Sequence, residues 1–346
     1  MVQDIVTTLQ GVPLAIDQAG AYLSIYRNLS PKVLGDFIEK LHLGYDKIMR
    51  TIPKRSKWYY EKHRSVVDTF ILLRESLSRS NEDAAQLLTL SAFLAPGNIP
   101  MLAFSSPPSV SEHPSPAIDS FVEFLALRNS TEEEFREWAS RLSNDQDSCY
   151  AAITALEEFC CAKIRWNAEG TEIVSFSIHN AVRLWCQESW NTDEKDRWAT
   201  LAAYQLGRSL AVDGKAVPLS LRRYLWHVRY TQRLLMSKDP TSCIKAPEGS
   251  LWPFAWLTAI QFAKFYQGQG YLIDSELHLH KAIEFEKIAI SNWPNDATST
   301  ATLHLLGLVL WQSGKFDEAV EAYQTFSECL RTVTFDSKST CPEGRW

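Results

Sequence analysis

Few residues in this chain have the types and spacing of a catalytic or metal site. No Gly-x-x-x-x-Gly-Lys-Ser/Thr phosphate loop is present, and Gly314-Lys315 is followed by Phe316, where a hydroxyl would be needed to hold magnesium. There is no Gly-x-Ser-x-Gly elbow and no His-Glu-x-x-His helix. His278 and His280 do not share one helical face. We therefore predict no catalytic residues, no metal site and no enzymatic activity.

Two short segments remain that could contact a ligand. The first is Gly11-Val12-Pro13-Leu14, which continues at helical spacing to Tyr22. The second is Ile178-His179-Asn180, between an alternating segment and a helix. Each also has a purely structural interpretation. Proline suits the first turn of a helix because its missing N–H has no partner there, and His179 with Asn180 can cap the helix that follows.

The first segment resembles the Gly-Leu-Pro-Leu motif of NB-ARC ATPases, in the form found in fungal NLR-like STAND proteins. The second resembles the Met-His-Asp motif of that family. The resemblance implies that Gly11, Pro13 and Leu14 belong to the nucleotide site, with Pro13 beside the adenine. It implies that His179 touches the β-phosphate of bound ADP. Asn180 stands where the family has Asp, so the resemblance assigns it no role.

The same resemblance implies which part of the family's architecture the chain represents. In NB-ARC proteins the first motif lies downstream of the phosphate loop and the magnesium-holding acidic strand, and here ten residues precede Gly11. The chain is therefore expected to correspond to the C-terminal part, without the ATP-hydrolysing half. No cofactor is predicted for this chain alone; ADP or ATP would bind only with a complementary nucleotide-binding domain.

The elements that position these segments are mostly helical. Apolar residues recur at helical spacing along most of the chain, and the period changes to alternation at 162–178, which predicts a β-hairpin. Helices followed by a hairpin indicate a winged-helix unit. The expected fold is mostly α, with four parts: an ARC-like helical segment and linker (1–62), a winged-helix domain (63–190), a helical connector (191–250) and α-solenoid repeats (251–346).

The C-terminal part contains an internal repeat. Ala263, Gly270 and Ser275 recur 44 positions later as Gly307, Gly314 and Ala319, with apolar residues between them at matching positions. The small residues predict close helix crossings, and the glycines predict the turn between two helices of a hairpin. The pattern resembles a tetratricopeptide (TPR) array, which implies binding of protein partners. The alternative is a plain set of helical hairpins.

Composition limits the partners. The net charge of −6 argues against general nucleic-acid binding, which needs clustered Lys and Arg. No apolar run reaches the roughly 18 residues of a membrane span, and the N-terminus lacks the apolar core of a signal peptide. Seven irregularly spaced cysteines are typical of buried free thiols in a reducing compartment. We expect a cytoplasmic protein.

Together these features predict a non-catalytic signalling scaffold. The winged helix would act as a lever that responds to nucleotide state, and the repeats would bind protein partners. An NB-ARC ATPase half or a second copy of the chain is a further expected partner. The alternative is a winged-helix transcription regulator with a repeat sensor. It is disfavoured because the expected recognition helix, around 150–159, has two acids and no Lys or Arg.

Overall fold

A computed structural model of the chain describes residues 2–9, 12–24, 30, 32–41, 64–104, 133–210, 223–237, 251–289 and 297–339. Within these ranges the protein is mostly helical, as the sequence predicts, and it has one small three-stranded sheet that contains the predicted hairpin. Its contacts divide it into two compact units. Unit 1 comprises Met1–Met101 and Arg141–Trp198, and unit 2 comprises Leu102–Ser140 and Ala199–Trp346. The four-part division predicted from the sequence remains a prediction.

Unit 1 begins with three helices: α1 (Val2–Thr8), α2 (Pro13–Ser24) and α3 (32–41). They share one apolar core, because the residues that recur at helical spacing on α2 meet those of α1 and α3. Tyr22 and Phe37 stack at 5.3 Å between ring centroids in this core. Leu72, on the next helix along the chain, belongs to the same cluster. The predicted linker at 44–62 lies outside the described residues.

The next elements along the chain are helices with three short strands among them. They are α4 (Arg64–Ser80), α5 (Glu82–Ala92), β1 (Ile99–Pro100), a 3₁₀ turn (Met101–Ala103), α6 (Glu133–Asn144), α7 (Gln146–Glu158), β2 (Ala162–Trp166), β3 (Ile173–Ile178) and α8 (Asn180–Glu188). The sheet order is β1-β3-β2, and both pairs are antiparallel. The sequence predicts the β2–β3 hairpin but not β1, a strand of two residues. A further predicted helix, at 121–127, lies outside the described residues.

Short polar side chains set the starts of two of these helices. Asn81 caps α5, and its Oδ1 accepts a hydrogen bond of 2.9 Å from the backbone N–H of Ala84. Asp145 caps α7 by accepting from the backbone N–H groups of Asp147 and Ser148. Residue type and the start of the apolar run predict Asp147 as this cap. The prediction is wrong by two residues, because Asp145 holds the extended backbone conformation of a cap and Asp147 already lies in the first turn.

The remaining helices are α9 (Thr192–Leu210), α10 (Leu225–Met236), α11 (Trp252–Gly268), α12 (Leu272–Ala289), α13 (Ala297–Gln312) and α14 (Phe316–Ser339). In unit 2, α11 packs against α12 and α13 packs against α14, while α12 also packs against α13. This is a stack of two helical hairpins, as the internal repeat predicts.

The two hairpins turn in the same way. Gly270 and Gly314 have φ of 80° and 77°, a conformation that favours glycine. Each glycine N–H donates to the carbonyl three residues before it, and the next residue donates to the carbonyl five residues before it. Gly307 meets the ring of Tyr323 so closely that an added Cβ would lie 3.0 Å from it. A larger side chain at this position would push against the Tyr323 ring, so Gly307 lets α13 and α14 approach closely.

Candidate functional site

The N-terminus of α2 carries the first candidate segment. Pro13 is the first helical residue and is exposed, and Leu14 is half-buried. The side chains of Val12, Leu14 and Ile16 pack against the core shared by α1, α2 and α3. Gly11 lies outside the described residues. Pro13 thus takes the helix-start position that the structural interpretation of the motif predicts.

His179 connects β3 to α8 and is the N-cap of that helix. Its backbone N–H donates to the carbonyl of Cys161 at 3.4 Å, and its Nδ1 accepts from the backbone N–H of Ala181 at 3.2 Å. This bond assigns Nδ1 as the acceptor, so the neutral ring carries its proton on Nε2. Asn180 is the first helical residue, and its Oδ1 accepts from Arg183 at 3.4 Å. The cap is therefore His179 itself, and Asn180 does not serve as the cap.

The two candidate segments lie in the same part of unit 1. Ala181, in the first turn of α8, packs against the same apolar cluster as Val12 and Leu14. Asp17, on α2, lies close enough to Cys160 to affect its thiol. Burial and then the Asp17 carboxylate raise the pKa of Cys160. Two helix N-termini, those of α2 and α8, therefore belong to one region.

What this region can do chemically is limited. It offers the exposed Nε2–H of His179 and the positive ends of two helix dipoles, which would favour an anion. The sequence supplies neither the phosphate loop nor the magnesium ligand that phosphoryl chemistry needs. These groups alone do not fit a complete nucleotide site.

The transcription-regulator alternative would require α7 to read DNA. The described surface of α7 includes Asp147, Glu157 and Glu158, and the helix contains no Lys or Arg. Strand β2, beside it, carries Lys163 and Arg165 on its exposed positions. A recognition helix that presents only acids would repel the phosphate backbone.

Unit 2 holds a second candidate surface on the first helices of the two hairpins. Gln261, Lys264 and Gln267 on α11 are half-buried, and residues 44 positions later on α13 are Leu305, Leu308 and Trp311. Trp311 is exposed, and the Gln267 amide donates to Gln312 at 2.9 Å, which joins the two helices. We call these six positions the A-helix stripe. It combines hydrogen-bonding groups on one helix with apolar groups on the next, as protein-binding surfaces do.

The repeat core contains polar groups that sequence reasoning missed. The buried Glu286 carboxylate on α12 accepts from the Trp256 indole N–H of α11 at 2.7 Å and from the Thr302 hydroxyl of α13. It therefore ties three helices together. His278, also on α12, is fully buried and stacks on Tyr266 with 5.5 Å between ring centroids. Burial lowers the pKa of His278 to about 3.

The described cysteines are all free, and most of them are buried. Burial raises the pKa of Cys149 and of Cys186 to about 12, so both stay as inert thiols at neutral pH. Cys243 and Cys341 lie outside the described residues. Within the described ranges, no cluster of three or more His, Cys, Asp or Glu side chains could hold a metal ion. No helix in those ranges combines the length and apolar character needed to span a bilayer.

Comparison with protein-family models, with curated proteins and with solved structures finds no match to this chain.

Proposed function

We propose that this chain is a non-catalytic signalling scaffold, in which the stacked hairpins of unit 2 bind protein partners and the winged-helix part responds to nucleotide state as a lever. The observation that carries the proposal is the repeated hairpin geometry, in which Gly270 and Gly314 make the same turn with the same hydrogen bonds 44 residues apart. Stacked hairpins form extended surfaces, and proteins built this way use them to bind other proteins.

The surface proposed to bind is the A-helix stripe. Leu308 and Trp311 supply apolar contact area, and aromatic side chains are enriched where binding energy concentrates. The polar groups of α11 beside them would fix the orientation of a bound segment. The proposal gives the chain no catalytic role, and it agrees with the lack of catalytic motifs in the sequence.

The lever part of the proposal rests on the resemblance to NB-ARC proteins. His179 and Pro13 lie at the starts of helices that share one region of unit 1. Because the phosphate loop would have to come from elsewhere, nucleotide would bind there only with a complementary NB-ARC domain, or with an equivalent partner chain. Calorimetry with ADP, on the wild type and on His179→Ala, tests whether any binding persists in this chain alone.

The transcription-regulator alternative is weaker. The acids on α7 would oppose DNA, and the net charge of the whole chain is −6. The proposal also places the protein in the cytoplasm, where free cysteines such as Cys149 and Cys186 remain reduced.

The test of the scaffold role is an affinity purification from the source organism with quantitative mass spectrometry. Wild type is compared with Leu308→Glu, which puts a charge on the A-helix stripe, and with Val174→Glu, a matched change on the exposed face of β3. Specific partners should be lost at least tenfold with Leu308→Glu and retained with Val174→Glu. The same partners recovered equally with all three baits would reject the scaffold surface.

A further inference from the structure

Exposed apolar side chains of unit 2 concentrate where the second helix of each hairpin begins. Ile273 is 83% exposed and Leu277 49% exposed in the first turns of α12, and Phe316 is 60% and Val320 53% exposed in the first turns of α14. We call these four residues the turn edge. Single exposed apolar side chains are ordinary on protein surfaces, but several grouped together usually mark an interaction site.

Polar contacts hold the two halves of the turn edge beside each other. The ammonium of Lys315, directly before Phe316, donates to both carboxylate oxygens of Glu276 at 2.7 and 2.9 Å. Glu276 stands next to Leu277 in the sequence and one turn after Ile273. The apolar pairs on α12 and α14 therefore flank a single ion pair.

The spacing within each pair suits a helical ligand. Ile273 and Leu277 are four residues apart on α12, and Phe316 and Val320 are four residues apart on α14. Residues with this spacing lie one above the other on a single helix face. Two such short apolar ridges next to each other can receive the apolar side of one amphipathic helix. Such helices bind through apolar side chains three or four residues apart, a spacing that matches the two ridges.

Carboxylates outnumber cations along the two turns, with the Arg229 guanidinium over the Tyr271 ring at the first of them. The turns and first helical residues at 270–280 and 314–324 contain one lysine, Lys315, which Glu276 already engages. The same stretches contain five carboxylates: Asp274, Glu276, Asp317, Glu318 and Glu321. Asp317 and Glu321 are exposed, and each directly follows one of the two apolar residues of α14 in the sequence. Such a surface repels nucleic acid and anionic lipid.

From this combination we infer that the turn edge docks a basic amphipathic segment of a partner protein, with apolar anchors against the four exposed side chains and Lys or Arg against the surrounding carboxylates. Complementary charge would steer the encounter and fix the register of the bound segment. A second copy of this chain is disfavoured as the occupant, because a two-fold contact would bring one acidic edge against another. The inference rests on the proposed scaffold function and specifies the chemistry of a partner.

A displayed library of random 16-residue peptides, selected on the full chain, tests the inference without assuming a sequence. The selected peptides should carry net positive charge and at least two apolar anchors. Fluorescence polarisation then compares the best peptide on wild type, on Phe316→Ser/Val320→Ser, and on Asp317→Asn/Glu321→Gln. Ile288→Ser, at the far end of α12 and also exposed, is the control, and circular dichroism checks that each variant folds.

Binding should weaken at least tenfold for the double serine variant and remain unchanged for Ile288→Ser. The double amide variant should bind about three- to tenfold more weakly and lose part of the salt dependence. Selected peptides without a charge bias, no peptide selected at all, or equal binding by the double serine variant would overturn the inference. So would wild-type dimers that dissociate in that variant, since a second copy would then be the occupant.

The outcome separates this inference from the scaffold function. Loss of partners with Leu308→Glu, together with a failed peptide selection, would support the scaffold function and reject the turn edge as a docking site. Peptides that depend on the turn edge, together with partners insensitive to Leu308→Glu, would support the turn edge and reject the A-helix stripe.

Discussion

His278 makes the stability of the repeat core sensitive to acid. The ring is fully buried, makes a T-shaped contact with Phe262 and stacks on Tyr266, and neither of its nitrogens has a hydrogen-bond partner among the described residues. Because burial penalises the charged imidazolium, the pKa falls from 6.5 to about 3 in the folded protein. The folded state therefore keeps this ring neutral at a pH where the unfolded chain protonates it.

The direction and the size of the pH effect on stability follow from the linkage between proton binding and folding. Between pH 6.5 and 3 the unfolded state binds more protons at this site, so the free energy of unfolding falls as the pH falls. Going from about pH 7.5 to pH 5 should remove about 2 kcal/mol through His278 alone. This figure depends on the unfolded pKa of 6.5 and requires only that the folded pKa lie below about 4, so it does not depend on the depth of the shift.

Urea unfolding at both pH values, followed by circular dichroism, measures the effect in wild type, His278→Phe and His278→Leu. Both variants should lose about 2 kcal/mol less than wild type on acidification, because they have no group to protonate at this position. His280→Phe, a change at an exposed position two residues away on α12, should behave as wild type. Equal losses for wild type and both His278 variants would refute the reasoning, since the folded state would then accept a proton on His278.

Three further changes test other parts of the structure by the same unfolding measurement. Ala319→Trp overpacks a helix crossing in the repeat and should lower the free energy of unfolding by about 1–3 kcal/mol or more. Val320→Trp, at an exposed position, should change it little. Equal unfolding midpoints for the two variants would mean that the repeat register is wrong. Glu286→Leu leaves the buried donors of Trp256 and Thr302 without an acceptor, so it should lower the free energy of unfolding by about 2–5 kcal/mol. Glu284→Leu, at an exposed site, is the control and should have little effect. An equally small effect of Glu286→Leu would show that Glu286 does not hold the three helices together. His179→Ala should lose about 0.5–1 kcal/mol that His179→Asn restores, and identical Ala and Asn variants would argue against the cap.

The repeat could be predicted from the sequence because its signals are local. Gly270 and Gly314 mark turns that need positive φ, and small residues such as Gly307 mark the crossings, each at a fixed offset of 44. The β2–β3 hairpin was predictable for the same reason, since alternation and turn residues lie within 17 positions of sequence. Strand β1 was not predictable, because two residues are too few to show an alternation of apolar and polar side chains. They form a strand only because folding places them beside β3, which is distant in the sequence.

In helix α12 the apolar periodicity predicts the wrong buried residues. The interior of this helix includes His278 and Glu286, while Ile273, Leu277 and Ile288 face outward. Apolar periodicity assigns such polar residues to the surface, so the sequence gives no signal for the buried carboxylate or the buried imidazole. Only the packing of α11 and α13 on both sides of α12 decides which residues are covered.

The candidate nucleotide region was predictable in part. Pro13 at a helix start and His179 at a strand-to-helix junction follow from residue types, whereas their placement in one region of unit 1 required the structure. The use of His179 Nδ1 as a cap, with Asn180 inside the helix, also required the structure, because both residues are suited to capping.

The central claim is that the repeats bind protein. Site-specific photo-crosslinking in the source organism tests it most directly, with a benzophenone amino acid at position 308 in the A-helix stripe and, as the control, at the exposed position 166 of β2. We expect discrete crosslinked proteins from position 308 that position 166 does not yield. Crosslinks absent from position 308, or the same products from both positions, would contradict the claim that the repeats bind protein through the A-helix stripe.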